Sequence, residues 1–204
     1  MKETQAKKMS TQTMVLAALL TALVIVLQFA GSSIRFGMFS ISLVLIPIVI
    51  GAATCGAGIG AWLGLVFGVV VLASGDAAPF MALSVPGTII TVLAKGMACG
   101  FVAGLAYKAV YSLATKSQKL SPHTTRFVSV LAAAIVCPVV NTGVFLIGCL
   151  LFFFEIFPKD AGAGEIIKHM IFVLVGGNFL FELGTNIILN PVIVRLLDFK
   201  NKKM

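Results

Sequence analysis

Apolar residues along this chain neither alternate nor form narrow stripes; they come in long blocks separated by short polar or glycine-containing joints. Six blocks read as membrane spans: Thr11–Ala30, Ser40–Cys55, Gly56–Ser74, Gly87–Ala114, Phe127–Phe154 and Ile167–Leu196. A helix needs about 20 apolar residues to cross about 30 Å of hydrocarbon. The second and third blocks are short and closely joined. Block length and the lack of polar alternation argue against a transmembrane barrel. The pattern predicts one all-α membrane domain over residues 1–204, a six-transmembrane-helix bundle.

Composition supports the class, with 59% apolar and 11% charged residues and a mean hydropathy of +1.09. Lys2, Lys7, Lys8, Lys108, Lys116, Lys119, Arg126, Arg195, Lys200, Lys202 and Lys203 fall on one side of the predicted bundle, against Arg35, Lys159 and Lys168 on the other. The excess of basic residues in cytoplasmic loops predicts that both termini are cytoplasmic. The net charge of +8 then reports topology, and no soluble basic segment is long enough to bind nucleic acid. The first block is expected to be retained as a span, because Gln28-Phe29-Ala30 lacks the small residue two positions before a cleavage-site alanine.

Enzyme chemistry finds little to stand on. Cys55, Cys99, Cys137 and Cys149 fall in or at the ends of spans, with no C-x-x-C pair and no histidine at metal-ligand spacing. They read as packing residues, with no metal or cofactor expected. No G-x-x-x-x-G-K-[ST] loop occurs, so any ATP hydrolysis belongs to another subunit. An intramembrane enzyme ranks last, since no nucleophile–base or paired-carboxylate set shares a depth.

Two features point to a ligand. The connections Gly31–Met38, Gly75–Phe80 and Glu155–Asp160 on the predicted outer side mix glycine, proline, charge and aromatics. They read as shaped lids carrying Arg35, Asp76 and Phe80 as candidate contacts, with plain connections as the alternative. Ionisable groups in hydrocarbon are costly and functional by default. Lys95, nine residues beyond Pro86, is predicted about 14 Å deep, and Glu182, fourteen residues beyond Lys168, about 21 Å deep. Asn178, Glu182, Asn186 and Asn190 recur every four residues as a polar stripe, and Asn141 in the fifth block lies at a similar depth. These groups either line a polar cavity or form a Lys95–Glu182 pair and interhelical hydrogen bonds that only lock the bundle. Pro47, Pro138 and Pro191 are candidate kinks.

In the first block, Ala18 and Ala22 lie one turn apart, a spacing that lets another helix approach closely in lipid. With the length, the six blocks, the cytoplasmic termini, and Lys95-Gly96 and Ala103-Gly104-Leu105 in the fourth block, the chain resembles the S component of energy-coupling factor (ECF) transporters. The resemblance covers essentially the whole chain. It implies a non-enzymatic subunit of a prokaryotic plasma-membrane importer that captures a water-soluble vitamin from outside. It assigns Ala18 and Ala22 to docking on a transmembrane coupling subunit attached to two cytoplasmic ATPases, and makes Lys95, Asn141, Asn178 and Glu182 cavity candidates. A thiamin-specific member would show several tryptophans near the outer helix ends, whereas Trp62 is the only one here. Lys95 suits an anionic, pantothenate-like ligand better. The rival reading is a self-sufficient secondary carrier or channel using Lys95 and Glu182, against which stands the lack of a visible internal repeat.

Overall fold

The computed structural model describes residues 10–32, 35–36, 39–40, 43–117, 120–156, 162–169 and 176–202. Apart from short turns and one two-residue ladder, these are helical. In order they form α1 (Thr11–Ser32), β1 (Arg35–Phe36), β2 (Phe39–Ser40), α2 (Leu45–Cys55), α3 (Ala57–Ala73), α4 (Ala78–Met81), α5 (Val85–Ser117), α6 (Pro122–Phe152), a 3-10 turn (Phe154–Ile156), α7 (Ala163–His169), α8 (Gly176–Ile188) and α9 (Asn190–Lys202). In the ladder Arg35 pairs with Ser40 and Phe36 with Phe39.

The second predicted span starts too early. Ser40 belongs to β2, and the helix begins only at Leu45, leaving 11 residues, about 16 Å of rise. Pro47 sits in its first turn, where a missing N–H is tolerated, so it opens a helix and does not kink one. Gly56, with φ 96°, takes the left-handed backbone that lets α2 end and α3 begin one residue later. By length and hydropathy α1, α5 and α6 each qualify to cross a membrane; α2 and α3 are shorter apolar helices. Helix α6 begins on an N-cap, Ser121, whose side chain accepts from the Thr124 N–H, and it runs unbroken through Pro138.

The single span predicted over Ile167–Leu196 is not one helix. Helix α7 ends at His169, α8 begins at Gly176, and the stretch between them lies outside the described residues. A depth for Glu182 counted along one helix from Lys168 therefore does not hold. Helices α8 and α9 meet at a 41° bend and together qualify as one bent span. Pro191 accounts for the bend: it has no N–H, its ring excludes the carbonyl four residues back, and the Val192 and Ile193 amides both donate to the Leu189 carbonyl.

Two glycine ladders bind the centre of the bundle. Gly60, Gly64 and Gly68 on α3 face α5, which presents Gly96, Gly100 and Gly104. A methyl group on Gly64 would collide with the Gly96 carbonyl, one on Gly100 with the Gly60 carbonyl, and one on Gly104 with Ala57. The two helices thus run antiparallel with their backbones in contact. Close packing and Cα–H···O contacts hold helices together where lipid removes most of the hydrophobic drive. Around this seam α1 buries Ala17, Leu20, Val24 and Gln28, and the core continues through Ile48, Leu63, Cys99, Val130, Cys137 and Ile193.

Candidate ligand site

The glycine register fixes where Lys95 lies. With Gly96 against Gly64, Lys95 sits opposite the middle of α3, beside Phe67. Its ammonium lies 5.6 Å from the centre of the Phe67 ring and 5.2 Å from that of Phe145 on α6. Both distances are within the roughly 6 Å over which a ring face attracts a cation. Phe67 and Phe145 are buried. Among the described residues Lys95 makes no hydrogen bond and no salt bridge; Glu182 and Asp76 are the carboxylates that act on it through space. The Lys95–Glu182 ion pair allowed by the sequence is therefore not what holds the ammonium; two aromatic faces are.

Polar groups converge from the neighbouring faces. Thr91 is one turn before Lys95 on α5, and Asn141 one turn before Phe145 on α6, so each shares a face with its partner. The faces meet closely, because a methyl group on Gly148 would collide with the Thr91 side chain. Among the described residues the Thr91 hydroxyl and the Asn141 Oδ1 are buried without a hydrogen-bond partner. From α8, Glu182 and Asn186 are buried at 3% and 1% exposure, and both polar atoms of Asn186 lack partners. Beyond the bend, Asn190 donates weakly to the Phe127 carbonyl at 3.4 Å. Thr185 is satisfied locally, donating to the Phe181 and Glu182 carbonyls. Such groups normally find partners, so the unpaired atoms of Thr91, Asn141 and Asn186 on α5, α6 and α8 mark the polar heart of the bundle, while Asn190 of α9 lies farther along α6, against Phe127.

Aromatic packing closes one end. Phe80, carried by α4, is buried edge-on to Phe145 at 5.2 Å and tilted against Phe153 at 5.3 Å, with Cys149 in the same cluster. The sequence placed Phe80 in a surface lid; the structure turns it inward as a plug, because Gly75, at φ 81°, reverses the chain and Pro79 opens the α4 turn. Asp76 is tied down as well: the buried Gln28 amide of α1 donates to its Oδ2 at 2.6 Å. Arg35 lies in β1 and Asn178 in α8, but their side chains fall outside the described residues, as does that of Phe36. The structure thus brings together Lys95, Asn141, Glu182, Asp76 and Phe80 around one region.

Four residues of this region escape a reading of motifs: Phe67, Phe145, Thr91 and Gln28. Gln28 and Thr91 had a legible signal, an uncharged polar side chain in an apolar block, Thr91 at i−4 from a lysine. The phenylalanines had none, being two of 16. Among the described residues no three His, Cys, Asp or Glu side chains cluster as metal ligands. The four cysteines are free thiols, three of them buried.

Ala18 and Ala22 lie on the other side of α1 and are exposed. Ala18 lines a groove of ≈ 480 Å³ with Met14, Ala17, Thr21, Ile59 and Trp62, where the Trp62 indole donates to the Thr21 hydroxyl at 3.2 Å. At the far end of the bundle, Arg126 of α6 bonds Asp198 of α9, with His123 3.8 Å from the same carboxylate.

Comparison with known proteins agrees with this architecture. The family model described as "ECF transporter, substrate-specific component" matches residues 12–197. No curated protein matches. Among solved structures, ThiT from Listeria monocytogenes serovar superimposes with a TM-score of 0.65 at 22% identity, covering 94% of this chain and 96% of that one. At that identity the likeness concerns the fold.

Proposed function

Because the chain belongs to the ECF transporter substrate-specific component family, we propose that it captures a water-soluble, anionic, pantothenate-like vitamin outside the cell. It then delivers this cargo to a coupling module. In this reading the chain is a multi-pass protein of a prokaryotic plasma membrane with both termini cytoplasmic, so that the end bearing α4 and the β1–β2 ladder faces outward. The coupling module comprises a transmembrane subunit and two ATPases, and it docks on Ala18 and Ala22.

The observation that carries the ligand assignment is the state of Lys95 and its surroundings. An ammonium held on ring faces without a counter-ion in contact, next to buried unpaired oxygens of Thr91 and Asn141, is an arrangement ready for a carboxylate and a hydroxyl or amide. A charge-assisted hydrogen bond to a carboxylate is about twice as strong as a neutral one. Lys95 would take the anionic group, and Thr91 and Asn141 the polar groups beside it. Glu182 and Asn178 would bound the cavity from α8, while Asp76, Phe80 and Arg35 close its outer end.

Mass spectrometry of the small molecule retained by the purified chain tests the ligand; a carboxylate-bearing vitamin is the expected result, and a cation or nothing retained counts against it. Uptake of that molecule into proteoliposomes is expected only when the coupling subunit, the ATPases and ATP are present. Ion-gradient-driven uptake by the chain alone would make it a self-sufficient carrier instead.

A further inference from the structure

We propose that Lys95 is the resident occupant of an aromatic box for cations built by Phe67 and Phe145, and that this occupancy excludes cationic ligands from the site. The inference rests on reading this region as the ligand site and adds how that site chooses its ligand class. The ammonium lies over two rings, at 5.6 and 5.2 Å, contributed by α3 and α6, both of which pack against α5. Each ring is locked in place. Phe67, between the seam glycines Gly64 and Gly68 in sequence, is 3% exposed within the main core cluster. Phe145 is braced edge-on by Phe80, itself packed on Phe153.

Two buried ring faces with Glu182 and Asp76 acting from farther away form the kind of surrounding that recognises quaternary ammonium groups. A free cation entering it must displace an ammonium already tethered there, whose effective concentration is of millimolar order or higher. An anionic group has the opposite effect, since it draws the ammonium toward itself. That movement uncovers both ring faces for the apolar part of the same ligand. Lys95 is then a specificity-determining residue twice over, by charge and by occupancy, and Phe67 and Phe145 become ligand contacts only after it moves.

Tetramethylammonium chloride is the probe, titrated calorimetrically into the purified full chain. The wild-type protein is expected to bind it at least about tenfold more weakly than Lys95→Met, in which the box is vacated; a tenfold change corresponds to about 1.4 kcal/mol. Lys95→Arg, which keeps a cation on the rings, is expected to behave like the wild type, and Lys95→Met with Phe145→Leu to lose the gained binding. Should Lys95→Met not purify in a folded state, Lys95→Gln gives the same readout. Equal tetramethylammonium affinity in wild type and the charge-removed variant, or a gain that survives loss of the Phe145 ring, overturns the proposal. Failure of the vitamin reading would show separately, as no carboxylate-bearing molecule retained by the wild-type chain.

Discussion

Asn141 carries a cost that packing alone does not explain. It is 6% exposed and its Oδ1 has no partner, and an unsatisfied buried polar group costs about 1–3 kcal/mol. Replacing it with an apolar residue of similar volume removes that cost without orphaning a partner. Asn141→Leu is therefore expected to leave the melting temperature in detergent unchanged or higher while reducing retention of the proposed ligand about fivefold, the worth of one neutral hydrogen bond of about 1 kcal/mol. A lowered melting temperature with retention intact would make Asn141 structural. At this scale the sequence was a fair guide to polar residues, because a polar side chain among apolar ones stands out by type. Lys95, Asn141 and Glu182 were legible on that ground. Phe67 and Phe145 were not, since an aromatic side chain in an apolar helix looks the same whether it meets lipid, core or an ammonium, and only the helix packing distinguishes them.

Among the elements, the α3–α5 seam is the most exacting. Gly64 faces the Gly96 carbonyl with no room for a methyl group, and neither helix backbone can yield without breaking the register that sets Lys95 beside Phe67. Gly64→Leu is expected to destabilise the chain by about 3 kcal/mol or more, at or beyond the upper end of ordinary overpacking. Gly58→Ala, on the exposed side of the same helix where nothing lies within 4 Å, should instead be neutral or stabilise by up to about 1 kcal/mol through helix propensity. Thermal unfolding of both variants in detergent checks the contrast, and equal effects would refute the seam. The four-residue glycine spacing was present in the sequence, yet which neighbouring helix it met was not. The break at Leu189 illustrates the opposite case: Pro191 was visible, and its consequence depended on whether the helix could continue past it. It could not, whereas α6 continues through Pro138.

For the whole molecule, the division of α1 into two faces matters most. Its inward face, Ala17, Leu20, Val24 and Gln28, is buried in the core and reaches Asp76, while Ala18 and Ala22 remain exposed. Small residues left outside the bundle are available for another protein's helix. Ala18→Phe with Ala22→Phe is expected to abolish copurification with the coupling subunit while leaving melting temperature and ligand retention unchanged, because both side chains are exposed; normal assembly of the double variant would remove the docking role. The sequence by itself determined that this is an apolar helical bundle, since block length and composition govern partition into lipid whatever the tertiary arrangement. It also marked the small-residue pair and the polar candidates, which stand out against an apolar background. Only the tertiary structure decided which faces meet: that glycine seams set the register of α3 on α5, that the last span bends, that Phe80 turns inward, and that Lys95 rests on two rings and not on Glu182. Those outcomes depend on contacts between residues distant in the chain, and their distances and orientations are fixed by packing, which no local pattern encodes.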